Sequence, residues 1–91
     1  MISRIHLFYS GYVQGVGFRF SVKRIALSLG LKGWVKNLRN GNVEIVAQGE
    51  KNSLEDFANQ IRESSLKRYI KNVEINWEEA SGEFNNFEIR F

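Results

Sequence analysis

The chain has 91 residues, of which 43% are hydrophobic and 25% charged, with a formal net charge of +3 and neither cysteine nor proline. This composition belongs to a globular domain and excludes a disordered chain, a disulfide framework, a thiolate metal site and a cysteine nucleophile. No apolar run approaches the ~20 residues a bilayer span requires, and Met1-Ile2-Ser3-Arg4 lacks the pattern of a signal peptide, so one cytoplasmic domain over residues 1–91 is expected.

A chain this short must commit nearly all of its apolar residues to one core. Ile5, Leu7, Tyr9, Gly11 and Val13 alternate with His6, Phe8, Ser10 and Tyr12, which predicts a strand with one buried face. After a glycine-containing loop, Phe18, Val22, Ile25, Ala26 and Leu29 recur at helical spacing and predict a helix from about Phe18 to Leu29. Gly30 followed by Leu31 fits a left-handed cap with its apolar contact. Gly33 to Asn37 and Asn42 to Ala47 flank Leu38-Arg39-Asn40-Gly41 and read as a hairpin.

Ser53, with Asp56 three residues on, is the predicted N-cap of a second helix whose stripe is Leu54, Phe57, Ala58 and Ile61. Lys67-Arg68-Tyr69-Ile70-Lys71 reads as a solvated connection. Val73, Ile75 and Trp77 then mark a fourth strand, and Phe87, Ile89 and Phe91 a short terminal one. The order β-α-β-β-α-β plus one strand is that of the ferredoxin-like split β-α-β, an α+β fold with a mostly antiparallel sheet and both helices on one face. In that topology the ends of strands one and two share an edge. Asn37 is therefore expected beside the glycine loop and Arg19, although 18 positions separate it from Arg19.

That loop is Tyr12-Val13-Gln14-Gly15-Val16-Gly17-Phe18-Arg19. Glycines at 15 and 17 let successive N–H groups converge, and the start of the first helix adds free donors and a positive dipole end. Arg19 can grip two oxygens of a phosphate or carboxylate with its planar fork. The loop matches neither the dinucleotide fingerprint, since Phe20 stands where the third glycine would, nor a Walker loop. It also remains compatible with a plain tight turn. Asn37, a poor strand former within a good strand, either orients a water with its amide or starts the hairpin turn by bonding to its own backbone. His6, the sole histidine, lies on the non-core face with Phe8 and Tyr12 and is expected to have a surface role. Aromatics on an open sheet face could instead stack nucleic-acid bases.

Gly11-Tyr12-Val13-Gln14-Gly15-Val16-Gly17-Phe18-Arg19, followed by Leu29-Gly30-Leu31-Lys32-Gly33-Trp34-Val35-Lys36-Asn37, closely resembles the acylphosphatase family. The likeness is strong from the first strand to Gly49 and weaker to Ile89. It implies a ferredoxin-like fold and hydrolysis of a carboxyl-phosphate anhydride, with a small acyl phosphate as substrate and inorganic phosphate as product. It further implies a phosphate cradle formed by Gln14, Gly15, Val16, Gly17, Phe18 and Arg19, and catalytic roles for Arg19 and Asn37. No cofactor, metal, membrane or nucleic-acid partner is expected, and a monomer is. Asn40 stands where the family often has aspartate, and the Gly-Pro common after the second helix is missing around Glu63-Ser64-Ser65-Leu66-Lys67. Two other readings are an RNA-recognition module, faintly echoed by Gly17-Phe18-Arg19-Phe20 but on the wrong element, and a non-catalytic or accessory phosphate-binding domain.

Overall fold

A computed structural model describes all 91 residues. Strand β1 (Ile2–Gly11) carries the expected alternation, with Ile5, Leu7 and Tyr9 buried and Arg4, His6 and Phe8 on the other face. It begins three residues earlier than the alternation indicated and leaves the sheet at Gly11, yet Val13 is still buried. Helix α1 (Phe18–Ser28) buries Phe18, Val22 and Ala26. It ends as expected: Gly30 adopts φ +70°, the Leu31 N–H donates to the Ala26 carbonyl at 2.9 Å, and Leu31 joins the same core.

Strands β2 (Lys32–Asn37) and β3 (Val43–Glu50) form the antiparallel hairpin, and β3 runs without a loop into helix α2 (Lys51–Glu63). The predicted cap at Ser53 is therefore incorrect. Extended Glu50 occupies the cap position, no side chain caps the helix, and Ser53 lies within its first turn. The cause is tertiary: β1 pairs with β3, so the Lys51 N–H donates to the Met1 carbonyl at 3.2 Å and needs no capping hydroxyl. The apolar stripe is as read, with Leu54, Phe57 and Ile61 buried and Ala58 partly so.

The basic run from Lys67 to Lys71 is also more than a solvated connection. A 3-10 turn (Ser65–Tyr69) is capped by the Ser64 hydroxyl, which accepts from the Leu66 N–H at 3.2 Å, and this turn drops Leu66 into the core. Strand β4 (Ile70–Glu78) starts inside the run, and Tyr69 and Ile70 pack on the core. Strand β5 (Phe87–Arg90) completes the sheet, whose order is β4-β1-β3-β2-β5. Every pairing is antiparallel except β2 with β5, which is parallel. Helix α1 covers β2 and β5 while α2 covers β1 and β3, and the two helices touch. This is the ferredoxin-like α+β fold with one added edge strand. On β4, Val73, Ile75 and Trp77 face the helix side opposite Tyr9, Leu7 and Ile5, but they stay partly exposed because β4 is an edge strand.

Burial raises the Tyr9 hydroxyl well above the usual tyrosine range, and the nearby Arg62 pulls it back only in part. A raised pKa means that the folded state holds a proton the unfolded chain releases. The resulting contribution is intact below the ordinary tyrosine value of about 10 and is lost as pH rises above it. Wild type is accordingly expected to lose about 1.4 kcal/mol of stability per pH unit above that value relative to Tyr9→Phe. Urea unfolding of both proteins at several alkaline pH values measures the difference, and parallel pH profiles would refute it.

Candidate active site

The passage from β1 to α1 turns on Gly15 and Gly17, at φ +78° and +79°. A Cβ at either would meet no atom within 4 Å, so backbone conformation and not crowding calls for glycine there. None of the turn and loop hydrogen bonds between backbone groups is donated by Gln14, Gly15, Val16 or Gly17. Helix α1 has no side-chain cap and no acidic residue in its first turn. Its first bond runs from the Ser21 N–H to the Gly17 carbonyl at 3.1 Å, which leaves the preceding N–H groups without helical acceptors. Loop and helix start together form a bay of donors at a positive dipole end, the arrangement that receives an anion.

Arg19 lies in that first turn. It takes part in none of the ion pairs of the chain, and its guanidinium lies over the Phe91 ring, 4.9 Å from the centroid. The parallel pairing of Lys36 with Arg90 brings Phe91 level with Asn37, the last residue of β2. Asn37 Oδ1 is the one buried side-chain nitrogen or oxygen in the chain that lacks a hydrogen-bond partner. Such an atom costs the fold about 1–3 kcal/mol. The alternative that Asn37 shapes the turn is overturned, because that bond belongs to Asn40, whose Oδ1 accepts from the Asn42 N–H at 3.0 Å.

Gly15, Gly17, Arg19, Phe20 and Asn37 surround one pocket of about 100 Å³, with Val13 and the buried Phe18 also lining it. The remaining cradle positions sit beside it. Val16 packs partly on the core, and the Gln14 side chain turns away toward the hairpin. Gln14 Nε2 donates to the Leu38 carbonyl at 2.7 Å and to the Asn42 carbonyl at 2.9 Å. One amide thus ties the loop to both ends of the turn that follows Asn37. No sequence signal marked this role, since it depends on two backbone carbonyls brought near by tertiary structure. Phe91 over Arg19 was equally illegible, because the partner of the last strand is not written in its alternation.

A larger cleft of about 640 Å³ lies between α2 and β4, lined in part by Tyr9, Arg62, Ile75 and Trp77, and it includes none of the residues singled out in the loop or at Asn37. His6 is on the open sheet face between Glu44 at 2.7 Å and Glu78 at 3.0 Å, in accord with a surface role. No group of three or more His, Cys, Asp or Glu side chains is placed to hold a metal ion, and no helix is long and apolar enough to cross a membrane.

Fold and site together define a small α+β domain in which a glycine loop with unpaired N–H groups joins the first strand to the first helix. The acylphosphatase family model matches residues 5–89. The acylphosphatase of Caldanaerobacter subterraneus is 39% identical over 89 residues, covering 98% of this chain and 99% of that one. The acylphosphatase of Moorella thermoacetica is 41% identical, with coverage of 96% and 92%. Among solved structures, the Bacillus subtilis acylphosphatase superposes with a TM-score of 0.90 at 32% identity over the whole of both chains. Full-length HypF in its phosphate- and nucleotide-bound form gives 0.88 at 30% identity, over all of this chain but 12% of its own. The chain belongs to the acylphosphatase family and is an enzyme of that class.

Proposed function

We propose that the chain hydrolyses the carboxyl-phosphate bond of small acyl phosphates to carboxylate and inorganic phosphate, with Arg19 and Asn37 as its catalytic residues. The observation that carries this reading is the pocket in which an uncommitted arginine, unpaired loop N–H groups and a buried, unpartnered amide oxygen meet. The fold gains nothing evident from leaving these groups unbonded, whereas a phosphoryl group and a water use them all.

In this mechanism the N–H groups from Gln14 to Arg19 and the Arg19 fork hold the phosphoryl oxygens and stabilise charge developing on them. Asn37 holds a water in line with the bond to the acyl oxygen. The water oxygen bonds to phosphorus, the bond from phosphorus to the acyl oxygen breaks, and its electron pair leaves with the carboxylate. The proton of the water passes to a phosphoryl oxygen. A carboxylate departs without protonation, so a general acid is unnecessary, and positioning supplies much of the rate. The reaction so written needs neither a metal, a cofactor nor a second subunit, because every group named comes from one chain.

Benzoyl phosphate and phenyl phosphate, each assayed with excess chelator, test the reading. Turnover of the acyl phosphate and not of the monoester is expected. Absence of acyl phosphate hydrolysis, or turnover abolished by the chelator, would overturn it.

A further inference from the structure

The cleft of about 640 Å³ between α2 and β4 shares no residue with the phosphoryl pocket. Its volume falls within the roughly 300–1,000 Å³ of small-molecule sites. It exists because α2 covers β1 and β3 but not the edge strand, so Val73, Ile75 and Trp77 line a trough that no other element closes. The register of β4 on β1 gives that trough two unlike ends. Trp77 is opposite Ile5, whereas Val73 is opposite Tyr9, ~13 Å further along β1.

Charge gathers at the Tyr9 end. Arg62, Lys67 and Lys71 line the cleft, and neither lysine joins an ion pair. Arg62 is engaged only on its own helix, donating to Asn59 Oδ1 at 2.7 Å and lying 3.7 Å from the exposed Glu63 carboxylate, a weak tie. Glu55 is the only carboxylate in the lining, and it stands two helical turns back from Arg62.

Tyr9 points to what this end receives. The residue is only 3% exposed, and its ring is held against Phe18 with centroids 5.2 Å apart. Its hydroxyl joins none of the side-chain hydrogen bonds of the chain. Unlike the enclosed Asn37 Oδ1, it opens on the cleft. Burial keeps the hydroxyl protonated, so it is a fixed donor, and with Arg62 nearby the acceptor it suits is an anion. One hydroxyl and one guanidinium match the two oxygens of a carboxylate. An extended chain can follow the strand to Trp77, whereas a compact group would leave one end uncovered.

We infer that this cleft is a second binding site, which takes a single-tailed alkyl carboxylate with its head between Tyr9 and Arg62 and its chain along Val73, Ile75 and Trp77. Neither Arg19 nor Asn37 lines it, so the site is independent of the phosphoryl chemistry.

Isothermal titration with decanoate, below the concentration at which it self-associates, tests the assignment. One decanoate per chain is expected, with decanol and acetate each binding at least about tenfold more weakly because one lacks the charge and the other the chain. Tyr9→Phe and Trp77→Ala should each weaken decanoate binding about tenfold, and Arg62→Gln, at the surface, about threefold. Thermal melts accompany the titrations. Arg62 and Trp77 are well enough exposed that their variants are expected to fold even if Tyr9→Phe does not. Excess inorganic phosphate should leave the decanoate affinity unchanged. Absent or unsaturable binding, decanol bound as tightly as decanoate, or folded variants with unaltered affinity would overturn the site. Displacement of decanoate by phosphate would do the same, because it would place the carboxylate in the loop. Tighter binding of decyl phosphate than of decanoate would overturn the carboxylate head.

Discussion

Arg19→Lys is expected to lower kcat/KM for benzoyl phosphate by about a hundredfold or more while leaving the unfolding temperature unchanged, because removal of one preorganised donor to a developing oxyanion has that cost. The substitution keeps the positive charge. It removes the planar fork that meets two phosphoryl oxygens at once, and a flexible ammonium cannot reproduce that geometry. The fold has little stake in the change, since Arg19 joins no ion pair and touches Phe91 at the surface. Steady-state kinetics and a thermal melt on the same preparation separate the two effects. Activity within about threefold of wild type would sink the assignment of Arg19, because charge alone would then account for the oxyanion stabilisation.

Asn37→Ala divides binding from turnover. Its kcat should fall by about a hundredfold as in-line positioning of water is lost, whereas inhibition by inorganic phosphate should change little because the loop donors remain. Stability should hold or rise by about 1 kcal/mol, since the variant removes a buried oxygen that has no partner. A residue serving the fold would behave in the opposite way, losing stability first. Phosphate inhibition abolished with kcat preserved would assign Asn37 to binding and reject its role toward water.

Much of this architecture was legible because local pattern and tertiary environment agree. The alternation of Ile5, Leu7 and Tyr9, the Gly30-Leu31 helix end and the stripe of α2 each match one buried face. The meeting of Asn37 with the glycine loop followed from strand direction alone. Reading failed where a distant segment replaced a local device. Ser53 has good capping chemistry, but the Met1 carbonyl already serves the Lys51 N–H and β3 enters α2 without a loop. The run from Lys67 to Lys71 looked solvated because its charges outnumber its anchors, yet Leu66 and the half-buried Tyr69 and Ile70 decide its path. The parallel seat of β5 beside β2, and with it the aromatic ring over Arg19, depends on a chain crossing that short alternation does not encode.

The paired bonds from Gln14 to the Leu38 and Asn42 carbonyls make the two halves of the pocket one mechanical unit. Rigidity of this kind moves an entropic cost from each encounter to the single act of folding. The loop then need not close around its ligand, and little ordering is left to oppose binding.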